Sequence, residues 1–114
     1  MENILKKIVV LFVLMSQGVY ALEYYKQFEN DKVSVSYIKV MPQEEIGLHY
    51  DTHPQIVIAL SGGTITRLEA DGSTTEVEFP TGQSVYRPAE TPDKIHTSVN
   101  RTSQTIELII VQLK

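Results

Sequence analysis

The chain has 114 residues, which is enough for one domain. It carries 14 acidic and 10 basic residues, and the resulting net charge of −4 argues against nucleic acid or an anionic membrane as the main partner. It contains no cysteine, which excludes a disulfide framework and a thiolate zinc site.

The first 21 residues have the pattern of a secretory signal peptide. Two lysines precede an unbroken apolar run at residues 8–15, and Val19 and Ala21 stand at the two positions that a signal peptidase reads. The run is far shorter than the roughly 20 residues that a spanning helix needs, so a retained membrane anchor is the weaker alternative. We predict cleavage after Ala21 and a mature domain of residues 22–114, with a net charge of −5. The expected location is periplasmic or secreted, without membrane attachment after cleavage.

The mature chain opens with a strand pattern over residues 33–40. Apolar and polar residues alternate there with period two, and we predict that Val33, Val35 and Tyr37 face inward while the serines face outward.

The next two predicted strands meet at a polar turn. The first ends near Asp51, and its alternation puts His49 and Asp51 together on one face. A turn around Pro54 follows, and then a short, β-branched strand over residues 55–60. The glycine pair at residues 62–63 is a hairpin signal.

The rest of the chain continues in the same way. Asp71 and Gly72 predict a tight hairpin, and the run at residues 108–111 is apolar on both faces, as in a central strand. Further strands are predicted over residues 64–70, 75–79, 83–87, 94–100 and 105–113. Eight or so short strands with turn residues between them and no helical period predict an all-β sandwich or barrel.

One stretch resembles the first sequence motif of the cupin family, whose members are small double-sheet β-barrels. His49, Asp51, Gln55 and Gly62 keep the spacing of the family's His, His, Glu and Gly. Aspartate therefore replaces the second histidine and glutamine replaces the glutamate, while Gln43 stands where the motif opens with glycine.

A second stretch resembles the other cupin motif. Gly82 and Pro88 match its opening and His96 and Asn100 match its close, with a longer middle than usual. Asn100 is most simply a turn residue. The resemblance covers roughly residues 33–113 and implies a cupin-like double-stranded β-helix, or jelly-roll barrel.

The resemblance also implies a metal site. Cupins that bind metal use the positions held here by His49, Asp51, Gln55 and His96, and the expected cofactor is a divalent Fe, Mn, Ni or Zn. Two histidines and one carboxylate suit Fe(II) with open positions, and Gln55 would add a weak carbonyl ligand. The alternative is that His49 and Asp51 only bind each other by a hydrogen bond across a polar pocket without metal.

Two functions from different classes remain open. The first is a small exported cupin that binds a small molecule in its barrel, through His49, Asp51, Gln55, Arg87 and His96. The second is a metal-dependent enzyme, an oxygenase or isomerase acting on a small organic acid or sugar. Arg87 would bind a carboxylate of the ligand, or else form a surface salt bridge with Glu90.

We also predict a homodimer. The cupin resemblance implies it, and the segment at residues 22–25 is expected ahead of the barrel, where an unpartnered strand would leave an open sheet edge.

Overall fold

The structure is a computed structural model that describes residues 8–15 and 18–114, with side chains from residue 22 onward. Its strands are β1 (Ile8–Met15), β2 (Gly18–Glu29), β3 (Val33–Val40), β4 (Glu45–His49), β5 (Gln55–Ser61), β6 (Gly63–Glu69), β7 (Thr74–Phe79), β8 (Ser84–Arg87), β9 (His96–Val99) and β10 (Ile106–Leu113). A short 3-10 helix, Pro92–Lys94, precedes β9. Every strand predicted for residues 33–114 is present with bounds within two residues. Among the described residues, no helix is long and apolar enough to cross a membrane.

The strands form two antiparallel sheets. The six-stranded sheet has the order β1-β2-β3-β10-β5-β8, and the four-stranded sheet has the order β4-β9-β6-β7. The predicted central strand is confirmed, because β10 lies between β3 and β5. The inner faces enclose the core, whose buried members are Leu22, Ile38, Val40, Val57, Ala59, Ile65, Phe79, Ile106 and Leu108.

The predicted orientation of β3 is wrong. Its inner face carries Ser36 and Ile38, whereas Tyr37 faces outward and packs against the ring of Tyr25 with 5.1 Å between centroids. The hydroxyl of Tyr37 also donates to the Glu107 carboxylate on the neighbouring strand. Both faces of this strand carry apolar residues, so alternation alone left the choice of the inner face ambiguous.

The glycine pair after β5 does not form a hairpin. The strands β5 and β6 belong to different sheets, and the chain crosses between them at Gly62. A Cβ on Gly62 would lie 1.9 Å from the carbonyl oxygen of Phe79, so only glycine fits this close backbone approach. The hairpin predicted at Asp71 and Gly72 is confirmed, since it joins β6 to β7 and Gly72 has a φ of +89°.

The predicted signal peptide falls partly outside the described residues, which exclude residues 1–7 and 16–17 and therefore both lysines. Its apolar run forms β1, and β1 pairs with β2 across the predicted cleavage point. Leu22 would be the first residue after cleavage, and it is 2% exposed in the core. The segment expected ahead of the barrel is thus part of the six-stranded sheet, while the cleavage itself stays a prediction.

Candidate functional site

A cavity of about 290 Å³ lies between the two sheets. Its floor is apolar and is formed by the inner faces of both sheets, including Ile38, Val57, Ile65, Phe79 and Leu108. The rest of its lining is polar and includes all five residues predicted for ligand binding: His49, Asp51, Gln55, Arg87 and His96. The structure therefore brings the predicted residues together in one concave site.

The cavity lining changes from polar to apolar along the strands of the six-stranded sheet, and the strand register shows where. Gln112 on β10 lies opposite Gln55 on β5, which in turn lies opposite Arg87 on β8. Two residues further along the same faces, the pair is Ile110 and Val57. Since residues two apart on a strand share a face, the six-stranded sheet presents a polar row beside an apolar interior.

The two cavity histidines are cross-strand partners. His49 on β4 lies opposite His96 on β9, and their ring centroids are 4.5 Å apart. The pairing register shifts between Ile46 and His49, so both residues line the cavity while Leu48 is 68% exposed. A bulge of this kind re-aims side chains, which explains why Ile46 lines the cavity although Leu48, two residues further along the strand, is exposed.

The ring of His49 is held by its own strand. Its Nδ1 lies 2.7 Å from the carbonyl oxygen of Gly47, and a carbonyl only accepts, so Nδ1 carries the proton. In the neutral ring the other nitrogen, Nε2, is then a bare acceptor, and it lies 3.8 Å from Oδ1 of Asp51. This separation is too long for the hydrogen bond between His49 and Asp51 that the metal-free alternative predicted. Asp51 instead accepts from the amide nitrogen of Gln55 at 3.2 Å.

The donor set fits a metal only in part. His49, Asp51 and His96 each offer one ligand atom, and these atoms lie within 4.8 Å of one another. Ligands about 2.1 Å from one metal would be roughly 3–3.5 Å apart, so modest inward shifts would close this set. Imidazole and carboxylate suit Fe, Mn, Ni and Zn. Gln55, however, turns its amide nitrogen toward Asp51, where it positions the carboxylate.

An ion-pair cluster around the buried Arg67, next to His96, was not predicted. Arg67 is 8% exposed, and its Nε and Nη2 donate to the Glu69 carboxylate at 3.1 and 3.3 Å. Its Nη1 lies 2.9 Å from the Glu90 carboxylate. Arg67 shares the inward face of β6 with Ile65, and a charge at an inward position signals a need for buried partners. That signal was available from the alternation alone.

Glu90 also ties the proline-rich loop to the rim of the cavity. Its carboxylate accepts from the Asp51 amide at 3.1 Å, and its own amide donates to the Asp51 carbonyl at 2.7 Å. Burial alone would raise the pKa of Glu90, but the hydrogen bonds from the Asp51 amide and Arg67 outweigh it and hold that pKa below its ordinary value. The alternative salt bridge between Arg87 and Glu90 is therefore wrong, because Glu90 pairs with Arg67.

The third histidine, His53, lies in the turn before Pro54 and is not part of the group formed by His49, Asp51 and His96. His53 is exposed, and its Nδ1 is 2.9 Å from both the Thr52 hydroxyl and the Gln112 amide nitrogen.

The two-sheet barrel with this cavity has the architecture of a cupin, and solved structures bear this out. A cupin domain from Bordetella pertussis Tohama I superposes with a TM-score of 0.71 at 19% identity, covering 82% of this chain and 93% of that chain. The polyketide cyclase RemF from Streptomyces resistomycificus gives a TM-score of 0.59 at 20% identity, covering 81% of this chain and 64% of that chain. Fe(II)-HppE with the alternative substrate (S)-1-HPP gives a TM-score of 0.64 at 12% identity, covering 94% of this chain and 56% of that chain.

These similarities establish the fold. The chain has the cupin fold, a double-stranded β-helix, as the two sequence motifs predicted. It spans less than two thirds of the RemF and HppE chains. No protein-family model and no curated protein matches its sequence.

Proposed function

We propose that the chain is an exported cupin-fold protein that binds a small organic acid in its barrel. The observation that carries this proposal is the cavity, in which an apolar floor meets a polar side containing Arg87. A fold shared by many chemistries does not determine a function, so the residues of the site decide between functions.

The size and polarity of the cavity define the ligand class. A volume of about 290 Å³ corresponds to roughly ten water molecules and lies at the small end of ligand pockets. The apolar floor suits a short hydrocarbon body. The guanidinium of Arg87 suits a carboxylate, which it binds through two parallel hydrogen bonds.

A thermal-shift panel of short carboxylic acids tests this proposal. An acid at 100 times its dissociation constant adds about 2.7 kcal/mol to the free energy of unfolding, and the corresponding neutral amide should add less. Arg87→Met should remove the acid-dependent shift. Arg101→Met is the matched control, because Arg101 is exposed and does not line this cavity. A shift that survives in Arg87→Met, or no shift with any acid, would contradict the proposal.

A second candidate function is a metal-dependent oxygenase or isomerase. It is favoured by the grouping of His49, Asp51 and His96 and by the fold shared with an Fe(II) protein. These three residues would hold the metal, which when bound supplies a Lewis acid and open positions for substrate. The side chain of Gln55 would orient Asp51, and Arg87 would bind the carboxylate of a substrate.

Metal content of the purified full chain separates the two functions. Under the enzyme proposal, Fe(II), Mn(II), Ni(II) or Zn(II) raises the unfolding midpoint, and His96→Ala abolishes the rise while the fold persists. Metal affinity should also decline on acidification, because a protonated imidazole cannot ligate. If no metal shifts the midpoint and elemental analysis finds none, the enzyme proposal fails.

Export is proposed from the N-terminal pattern. Expression of the full chain in a Gram-negative bacterium should yield a periplasmic species whose intact mass lacks residues 1–21. A species that begins at Met1 and sediments with membranes would contradict it.

A homodimer is proposed through the outer face of the six-stranded sheet. Cross-strand register aligns an apolar row there, consisting of Phe28, Val35, Val111, Ile56 and Tyr86. Phe28 is 54% exposed and Tyr86 is 60% exposed. The row crosses five strands over roughly 19 Å, and an apolar row of this kind can contact the same row of a second copy about a two-fold axis.

Sedimentation tests the dimer at micromolar concentration. Tyr86→Asp should give a monomer of unchanged fold, whereas Leu48→Asp is the control on the other sheet, where the side chain is also exposed. A wild-type monomer, or equal effects of the two substitutions, would contradict this interface.

A further inference from the structure

Two groups within hydrogen-bond distance of the ring nitrogen Nδ1 of His96 make opposite demands on it, and the Glu90 carboxylate lies further away, at 3.8 Å. Nδ1 lies 3.0 Å from Nη2 of Arg67 and 2.9 Å from the carbonyl oxygen of Lys94. A carbonyl only accepts, so a hydrogen bond to Lys94 requires a proton on Nδ1. A guanidinium only donates, so a hydrogen bond from Arg67 requires a bare Nδ1. A neutral imidazole satisfies one of these partners and not both.

Three features favour Arg67 as the partner. A hydrogen bond from a charged donor is roughly twice as strong as one between neutral groups. The guanidinium cannot turn away, because Glu69 and Glu90 hold its other N–H groups. Both Arg67 and His96 are buried, at 8% and 3% exposure, so water does not replace a lost bond. Lys94, in contrast, is an exposed residue, and its contact with Nδ1 of His96 is only partly buried.

We infer that Arg67 sets the tautomer of His96 and thereby makes this histidine a hydrogen-bond donor to the cavity. With Nδ1 bare, the single proton of the neutral ring is on Nε2. His49 is fixed the other way by the Gly47 carbonyl, so its Nε2 is bare. The paired histidines therefore present one donor and one acceptor.

This inference deepens the proposed function, on which its ligand chemistry rests. An Nε2–H of His96 donates to a carboxylate or carbonyl oxygen, while Nε2 of His49 and the Asp51 carboxylate accept from a hydroxyl. The ligand class is therefore a small hydroxy acid or a related hydroxylated carbonyl compound. A divalent metal, in contrast, requires a bare Nε2 on His96, and its binding must first displace the proton from that atom.

Long-range proton–nitrogen NMR of the full chain, with ¹⁵N-labelled histidine, measures the tautomers directly without ligand or metal. At about pH 8.5, where free imidazole is neutral, we expect His96 as the Nε2–H form and His49 as the Nδ1–H form. A pattern with the proton of His96 on Nδ1 would overturn the inference. Failure of carboxylic acids to bind would overturn the proposed function and leave this spectrum unchanged, so the two failures are distinguishable.

The double variant Arg67→Met/Glu90→Gln tests whether Arg67 sets the tautomer of His96. It removes one positive and one negative group together, so the net charge near His96 is unchanged. We expect His96 to convert to the Nδ1–H form that donates to Lys94, and Zn²⁺ to bind about tenfold more tightly than in the wild type. Glu90→Gln alone retains Arg67 and should retain the wild-type tautomer. Arg87→Met, which removes a positive charge from the same cavity, should also leave the tautomer unchanged.

Two outcomes for the double variant would contradict this inference. An unchanged tautomer in a folded double variant would show that Arg67 does not set it. A converted tautomer without tighter Zn²⁺ binding would overturn the link between Arg67 and metal affinity.

Discussion

Asn100 should be among the most costly polar residues to replace. It is 0% exposed and all its side-chain atoms have partners. Its Nδ2 donates to the carbonyl oxygens of Val40 and Gln104 at 2.9 and 2.8 Å, and its Oδ1 accepts from the amide and hydroxyl of Thr102 at 3.0 and 2.7 Å. These bonds hold the turn between β9 and β10 against the end of β3. Asn100, which the sequence predicts as a simple turn residue, is therefore a buried residue whose hydrogen bonds link the β9–β10 turn to β3.

The cost of Asn100→Ala follows from those four bonds. Each contributes about 1 kcal/mol net, and the Thr102 and Gln104 groups regain water while the Val40 carbonyl does not. We expect a loss of about 3 kcal/mol in the free energy of unfolding, or roughly 12–20 °C in the unfolding midpoint for a domain of this size. Urea denaturation followed by circular dichroism measures it, with an unchanged slope indicating an unchanged folded state.

Asn30 provides the matched control. Its Oδ1 accepts from the amides of Lys32 and Val33 at 2.8 and 2.9 Å, but the residue is exposed. Asn30→Ala should cost less than about 1 kcal/mol, because the freed amides are solvated. Equal losses in the two variants would refute the argument that burial sets the cost.

Four further substitutions test the fold and the site. Gly62→Ala should cost at least about 2 kcal/mol in chemical denaturation, because a Cβ there would lie 1.9 Å from a backbone carbonyl oxygen; a near-neutral effect would refute the close approach. Gln43→Gly should leave stability unchanged or raise it by up to about 1 kcal/mol, since Gln43 has a φ of +70° where the cupin motif has glycine; a clear loss would contradict this. Glu90→Gln should flatten the decline of stability on acidification below about pH 4, because an acid with a depressed pKa contributes stability that is lost as pH falls through its folded value; an unchanged pH profile of the midpoint would count against it. Gln55→Glu should lower the unfolding midpoint at neutral pH and not at pH 4, because it would place a second carboxylate beside Asp51; equal midpoints for this variant and the wild type at neutral pH would exclude that repulsion.

The strands were predictable because their signals are local. Alternation and turn residues marked each one, and the apolar run of β10 belongs to a strand that lies between two neighbours. The inner face of β3 was not predictable in this way. Ser34 and Ser36 line the cavity on the same face as Ile38, so polar side chains share the interior face, while Val35 is buried on the opposite face.

The sequence predicted the two histidines of the site but not the ion-pair cluster beside them. Motif spacing brought together His49 and His96, which the register places opposite each other. The cluster of Arg67, Glu69 and Glu90 depends on a loop that returns to the barrel rim, and no local pattern in the sequence specifies that return.

Two of the three departures from the first cupin motif, at positions 51 and 55, are physically coupled. The amide nitrogen of Gln55 donates to the Asp51 carboxylate at 3.2 Å. A glutamate at position 55 would place a second carboxylate at about this distance from Asp51, and the two negative charges would repel each other. The amide removes that repulsion and fixes the carboxylate, but it also removes one anionic ligand from the metal positions. Arg67 acts in the same direction on His96 by occupying the nitrogen that would otherwise bind the Lys94 carbonyl. We propose that Gln55 and Arg67 both favour hydrogen bonding to a small polar ligand over the binding of a cation.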